Sequence, residues 1–196
     1  YTSKNEKWLF SALYLNGWQH IQRVPLSQKP SFGTQVLYKP TSKITLNSST
    51  FIGTDKPDTA QQQRYFHNFY GIFELSKKWA VTFGFDYGIE QKSKNSSSYN
   101  NWYTPNLIIK HTFNTNLSLS LRAENFTDKN CVIIYTSGPN GFNLMGYSAN
   151  LDWHINKNVV WRNEVRYFNS QDKYFVKHGA FVNDDLYGCT SICVIF

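Results

Sequence analysis

Between Trp79 and Glu90 the chain alternates, with a period of two, between large apolar residues and small or polar residues. One set of positions reads Trp, Val, Phe, Phe, Tyr, Ile, and the other reads Ala, Thr, Gly, Asp, Gly, Glu. Successive side chains of a β-strand point to opposite faces, so this pattern predicts a strand with one aromatic face and one polar face. A soluble β-sandwich strand also alternates, but its apolar face rarely carries so much aromatic bulk. The pattern is typical of a strand with lipid on one side and a polar interior on the other.

The same alternation recurs along the chain and predicts ten strands, separated by turn-forming residues. We place them at 6–18, 32–39, 44–54, 64–74, 79–91, 102–113, 117–127, 143–155, 158–169 and 185–196. The connections are alternately short, as at 114–116 and 156–158, and long, as at 19–31, 92–101 and 170–184. This rhythm is typical of an up-and-down barrel with short periplasmic turns and longer external loops.

These patterns predict an all-β fold: an antiparallel, up-and-down transmembrane β-barrel with about ten strands in this chain, forming either a whole barrel or part of a larger one. We assign residues 1–196 to a single outer-membrane barrel domain. The mean hydropathy is -0.48, and no apolar run approaches the length of about 18 residues that a transmembrane helix needs. Barrel strands need only about 9 to 11 residues, half of them apolar, so a low mean hydropathy agrees with the prediction. An aromatic-rich soluble β-sandwich is the alternative fold.

Aromatic residues mark the expected membrane boundary. Those nearest the short turns, where a periplasmic girdle belongs, are Trp8, Trp79, Phe113, Trp153 and Trp161. We expect Trp18 to share one strand face with Trp8, and residues 131–136 to form a small extra strand or loop hairpin. The loop rhythm directs the last strand toward the periplasm, where Phe196 would be the C-terminal signal of the barrel-closing strand.

Charged residues fall mainly on the polar faces of the predicted strands. The predicted lumen-lining or constriction residues are Asp86, Glu90, Lys110, Arg122, Glu124, Asp152, Arg162, Glu164 and Arg166. A charge on the lipid face near the midplane would cost about 2 to 4 kcal/mol, so these side chains should point into the lumen. Two compatible interpretations follow: a salt-bridge ladder that fixes strand register, and a charged constriction that selects solutes.

Other chemistry has little support in the sequence. The net charge is +7, but no block of like charges forms a nucleic-acid patch, so we expect no nucleic-acid partner. The five histidines show no Ser/His/Asp spacing, and the three cysteines show no metal-ligand spacing. Cys189 and Cys193 lie about 13 Å apart along one strand face, too far for a disulfide. We therefore predict no enzyme activity, no metal and no cofactor.

Several segments resemble the OmpL-like β-barrel porin family of Bacteroidota, and the resemblance covers nearly the whole chain. They are LNGWQHIQ at 15–22, PSFGTQVLYKP at 30–40, FIGTDKPDTAQQQRYFHNFY at 51–70, FGFDYGIE at 83–90, LRAENFTD at 121–128, GFNLMGYSANLDWHI at 141–155 and VVWRNEVRYFNSQDKYF at 159–175. LRAENFTD is similar to an Arg-x-Glu-x-aromatic-x-Asp element of that family.

The resemblance implies a bacterial outer-membrane barrel that lets small hydrophilic solutes diffuse passively. The alternative function is a non-conducting structural or accessory barrel within a larger outer-membrane complex. The implied partners are outer-membrane lipid and lipopolysaccharide, the barrel-assembly machinery and other outer-membrane proteins. Family members are usually longer, so we expect N-terminal strands to be missing here. Asp58–Ala60 also resembles an O-glycosylation site, with Thr59 as the acceptor.

Overall fold

A computed structural model describes residues 1–195, which form β-strands joined by loops and one short 3-10 helix, Asp58–Ala60. The strands are β1 (Trp8–Leu15), β2 (Ser31–Thr41), β3 (Ile44–Gly53), β4 (Arg64–Glu74), β5 (Trp79–Gln91), β6 (Tyr99–Thr112), β7 (Leu117–Asp128), β8 (Phe142–Asn156), β9 (Val159–Ser170), β10 (Phe175–Lys177), β11 (Ala180–Val182) and β12 (Asp184–Val194). None of the helices in the described residues is long and apolar enough to cross a membrane. The predicted closing signal, Phe196, lies outside the described residues.

Ten strands form one antiparallel sheet in the order β1-β2-β3-β4-β5-β6-β7-β8-β9-β12. Each strand therefore pairs with the next strand of this sheet along the chain, with β10 and β11 inserted between β9 and β12, which confirms the predicted up-and-down topology. The sheet is not closed: no pairing joins β1 to β12 within residues 1–195. Strands β10 and β11 form a separate two-stranded hairpin inside a connection that the sequence predicted as loop.

The alternation predicted for β5 is present in the structure. Phe83, Phe85 and Tyr87 are exposed, whereas Gly84 and Gly88 on the opposite side are buried. We call the side bearing Phe83, Phe85 and Tyr87 the aromatic face, and the side bearing Asp86 and Glu90 the polar face. Cross-strand partners share a face, and the register pairs Trp153 with Trp161 and Leu121 with Ala149 on the aromatic face.

Burial in this sheet is the inverse of a soluble protein's. The buried hydrophobic residues of the described chain are Phe51, Trp102 and Val160, whereas nine polar or charged residues are buried, among them Arg64 and Glu90. Large apolar side chains lie on the surface instead, including all five predicted girdle residues, Trp8, Trp79, Phe113, Trp153 and Trp161. Exposed apolar patches of this extent mark a surface that contacts lipid or another apolar partner.

The predicted position of Trp18 is wrong, and of the two alternatives predicted for residues 131–136, a small strand or a loop hairpin, the strand is wrong. Residues 131–136 form no strand, because the carboxylate of Asp128 binds the backbone N–H groups of Val132, Ile133 and Ile134 at 2.9, 2.7 and 3.0 Å. Those N–H groups are satisfied by a side chain, so the segment curls around Asp128, which is fully buried. Trp18 lies beyond the end of β1 and does not share its aromatic face; it packs against the polar-face residue Phe66.

The described residues cluster into two compact units. The first comprises 1–71 and 84–103, and the second comprises 72–83 and the residues from Thr104 onward. Strands β4, β5 and β6 contribute residues to both units. Each unit carries its own group of polar-face side chains.

Candidate functional site

In the second unit, the strand register aligns polar side chains into three rows that cross β7, β8, β9 and β12. The rows are Ser118, Asp152, Arg162 and Ser191; Ser120, Asn150, Glu164 and Cys189; and Arg122, Ser148, Arg166 and Tyr187. Residues from all three rows line an open cleft of about 460 Å³. The cleft therefore presents guanidinium, carboxylate, amide and hydroxyl groups on one continuous polar surface.

Each arginine of this cleft is paired with a carboxylate. Arg162 Nε lies 3.2 Å from Asp152 Oδ1 on the neighbouring strand, and Arg166 lies 2.7 Å from Glu164 Oε1 on its own strand. Arg122 pairs with Glu124 on its own strand. The Arg162 side chain remains 52% exposed, so these groups are accessible to water and to a solute.

The nine predicted lumenal residues divide between the two units. Seven of them lie in the second unit, whereas Asp86 and Glu90 lie in the first. Lys110 is exposed and has no acidic partner within 4.0 Å among the described residues. A role for these nine residues in lining a lumen or in selecting solutes is a prediction.

The first unit contains a buried arginine that the sequence analysis missed. Arg64 is 5% exposed and binds two carboxylates: Asp55 Oδ2 at 2.6 Å and Glu90 Oε2 at 2.6 Å. Its guanidinium carbon lies 5.7 Å from the ring centre of Trp18 and 5.6 Å from that of Trp102, within cation–π range. Arg64 thus joins the start of β4 to β5, to β6 and to two loops.

The loop between β1 and β2 is held onto the polar face by this cluster. The backbone N–H of Trp18 donates to Asp55 Oδ1 at 2.7 Å, and the Trp18 ring packs edge-on against Phe51 and Phe66 at 5.1 and 4.5 Å. Gly17 has a φ of +139°, and a Cβ there would lie 2.8 Å from Asp55 Oδ1. Glycine at this position therefore permits the close approach that brings Trp18 onto the strands.

A chain of side-chain amides crosses the same unit and ends at Asp86. Gln35 Nε2 donates to Asn47 Oδ1 at 2.8 Å, Asn47 Nδ2 donates to Asn68 Oδ1 at 3.2 Å, and Asn68 Nδ2 donates to Asp86 Oδ1 at 2.5 Å. These four residues come from the consecutive strands β2, β3, β4 and β5. Every link donates in the direction of the Asp86 carboxylate, which fixes its orientation.

Sequence periodicity could have assigned Arg64 and Asn68 to the polar face, since they alternate with Tyr65 and Phe69. No sequence signal could place Trp18 beside them, because the path of a loop is set by tertiary contacts. The structure also brings Ser48 Oγ and His67 Nε2 to 2.8 Å, a Ser/His contact that sequence spacing did not indicate. Both residues lie in strands, and the contact gives the serine hydroxyl and the histidine imidazole a hydrogen-bond partner.

Two long loops of the second unit are joined through Asp172. Its carboxylate accepts hydrogen bonds from the backbone N–H and the side-chain amide of Asn140 at 3.0 and 2.8 Å, and these bonds lower the pKa of Asp172. Tyr174 donates to the carbonyl of Gly141. Burial is the largest cause of the raised pKa of the Tyr174 hydroxyl, and the contact with Asp172 raises it further. This contact orders the loops that follow β7 and β9.

No group of His, Cys, Asp and Glu within residues 1–195 is arranged to hold a metal ion. Cys131, Cys189 and Cys193 are free thiols. The arrangement of the described polar face is therefore one of ion pairs, amides and hydroxyls. Such groups exchange hydrogen bonds with water and with polar solutes.

An antiparallel up-and-down sheet with an exposed aromatic face and a charged polar face defines a β-barrel membrane protein of the porin class. The whole chain, residues 1–196, matches the family described as "Putative beta-barrel porin-2, OmpL-like", and the chain belongs to this family. The family implies an outer-membrane location and a channel function, and its members are generally not enzymes. No match was found among curated proteins.

Proposed function

We propose that the protein is an outer-membrane channel for the passive diffusion of small hydrophilic solutes. The observation that carries the proposal is the inverted burial: aromatic side chains are exposed on one face, while paired charges and amides occupy the other. An aromatic face of this kind is stable only against an apolar medium. The opposite face then borders the aqueous interior of the barrel.

The lining of the cleft in the second unit supports small neutral polar molecules as the class of solute. Its arginines and carboxylates pair with one another, so their charges nearly cancel. The cleft still offers both hydrogen-bond donors and hydrogen-bond acceptors to a solute. Serine and asparagine side chains complete the lining of the cleft. A neutral polar solute such as a sugar or amino acid can exchange its water for these groups at low cost.

The location and partners follow from this proposal. The aromatic face would contact outer-membrane lipid and lipopolysaccharide, and the barrel-assembly machinery would insert the strands. Other outer-membrane proteins could bind the external loops. Thr59 is exposed at the 3-10 helix between β3 and β4, which is compatible with the proposed glycosylation of a Bacteroidota protein.

The test is liposome swelling with the purified full-length protein. Proteoliposomes in isotonic sugar solutions should swell rapidly with arabinose and glucose and slowly with stachyose. Circular dichroism in the same vesicles establishes that the protein is folded. Folded protein that admits none of these sugars would contradict the proposal and would favour the non-conducting accessory barrel, whose partner would then be sought by cross-linking in the native membrane.

A further inference from the structure

Asp86 is distinguished from the other predicted lumenal acids by its lack of a basic partner. Glu90 pairs with Arg64, and the three acids of the second unit, Glu124, Asp152 and Glu164, pair with Arg122, Arg162 and Arg166. No basic side chain of residues 1–195 lies within 4.0 Å of the Asp86 carboxylate. Since a carboxylate on a polar face is most stable with a positive partner, this position is suited to an external cation.

The hydrogen bonds around Asp86 leave half of its carboxylate available. Oδ1 accepts the amide of Asn68, the last link of the chain that begins at Gln35. Oδ2 accepts no hydrogen bond from any described residue. Asn47, which binds Asn68, is 2% exposed, so a buried residue helps to hold the amide that orients the carboxylate. A donor that reached Oδ2 would meet a preoriented acceptor.

Asp86 opens into a cleft of about 560 Å³ with aromatic walls. Trp18, Phe51 and Phe66 contribute the walls, and Asn68, Gln19 and His20 contribute polar edges. Aromatic faces attract cations that lie within about 6 Å of the ring centre. Arg64 lies 5.7 Å from the centre of the Trp18 ring, but it is paired with both Asp55 and Glu90 and does not line the cleft. His20, which does line the cleft, lies 3.7 Å from Asp55 Oδ1.

We propose that this cleft binds a small solute carrying an ammonium group, with Asp86 Oδ2 accepting its N–H and the rings of Trp18 and Phe66 contacting its cationic end. The carboxylate and the aromatic walls are both complementary to a positive charge, and neither is complementary to an anion. The site goes beyond passive diffusion, because a preoriented acceptor confers preference for one solute class. It does not depend on conduction, so it can be tested on protein that is not in a membrane.

The experiment measures binding by isothermal titration calorimetry and Trp fluorescence, using full-length protein folded in detergent micelles. The probes are glucosamine, which is cationic, and glucose and N-acetylglucosamine, which share its ring but are neutral. We expect glucosamine to bind and to be favoured at least about 10-fold over both neutral sugars, the scale of one charge-assisted hydrogen bond. Asp86→Asn should remove that preference. Glu74→Gln neutralises an exposed acid at the end of β4 and should retain it.

Three results would overturn the proposal. Equal affinity for glucosamine and glucose would indicate a neutral saccharide cleft, and unchanged binding by Asp86→Asn would place the cation elsewhere. If glucosamine does not bind at millimolar concentration, the cleft is not an ammonium-binding site. The comparison of the three sugars uses the wild-type protein, so it decides the question even when Asp86→Asn fails to fold. Loss of channel activity in liposomes would affect none of these outcomes.

Discussion

Replacing Arg64 by Met removes the only cation that pairs with Glu90 within residues 1–195, and it leaves His20, at 3.7 Å, as the one remaining ion-pair partner of Asp55 among those residues. The Asp55 and Glu90 side chains are 14% and 8% exposed, so water cannot take the place of the guanidinium. Removing one partner of a buried ion pair typically costs about 3 to 5 kcal/mol, because the remaining charge stays buried. We expect Arg64→Met to lower the free energy of unfolding by that amount.

The assay is urea unfolding of protein in lipid vesicles, followed by Trp fluorescence. With a urea m-value of roughly 1 to 3 kcal/mol/M, the midpoint should fall by at least about 1 M. Arg64→Lys keeps the positive charge but loses the planar guanidinium group that binds both Asp55 and Glu90. Its urea midpoint should therefore lie between those of the wild type and Arg64→Met.

Lys177→Met provides the matched control. Lys177 pairs with Asp184 at 2.7 Å, but the two side chains are 36% and 37% exposed. Its loss should therefore cost less than about 1 kcal/mol. If Arg64→Met and Lys177→Met destabilise the protein equally, the reasoning that places Arg64 in a water-excluded cluster is refuted.

Three further changes test other parts of the fold. Gly88→Ala should lower the free energy of unfolding by about 1 to 3 kcal/mol, because a Cβ there would lie 2.0 Å from the indole ring of Trp102. The control, Gly188→Ala, should cost little, since the nearest atom to its Cβ would be 3.7 Å away. Equal costs for the two variants would contradict the packing described for Gly88. Leu121→Arg, on the aromatic face, should cost about 2 to 4 kcal/mol in vesicles, and a change below about 0.5 kcal/mol would show that this face does not contact lipid. Hydrogen bonds from Asn140 lower the pKa of Asp172, so this contact stabilises the loops at a pH above the usual aspartate pKa and is lost as the pH falls through the lowered value. Hydrogen-exchange protection of the Asn140 amide should therefore decrease below about pH 4. Protection that stays constant with pH would refute this.

The strands were predictable because alternation is a local signal. For β5 the predicted range, 79–91, is the observed one, and the other nine sheet strands agree within three residues at each end. The hairpin formed by β10 and β11 was missed because its strands are only three residues long, too short for a period to appear.

The loops were not predictable, since their conformations depend on contacts with distant residues. Asp128 binds three backbone N–H groups and so prevents residues 131–136 from forming a strand. Trp18 leaves the aromatic face because Asp55, 37 residues away, binds its backbone. The polar-face positions of Asp86 and Arg162 followed from periodicity, but their partners did not, since pairing depends on register and side-chain direction.

Native Cys189 allows the most direct test of the central claim, that the polar face lines a water-filled path. Cys189 is exposed and borders the cleft of the second unit. We predict that the full-length protein gives stepwise single-channel conductance in planar bilayers. A charged, water-soluble thiosulfonate should reduce the step size of the wild type and of Cys193→Ser, which keeps Cys189, but not that of the double variant Cys189→Ser/Cys193→Ser. A silent bilayer containing folded protein, or steps in the wild type that the reagent leaves unchanged, would contradict the account.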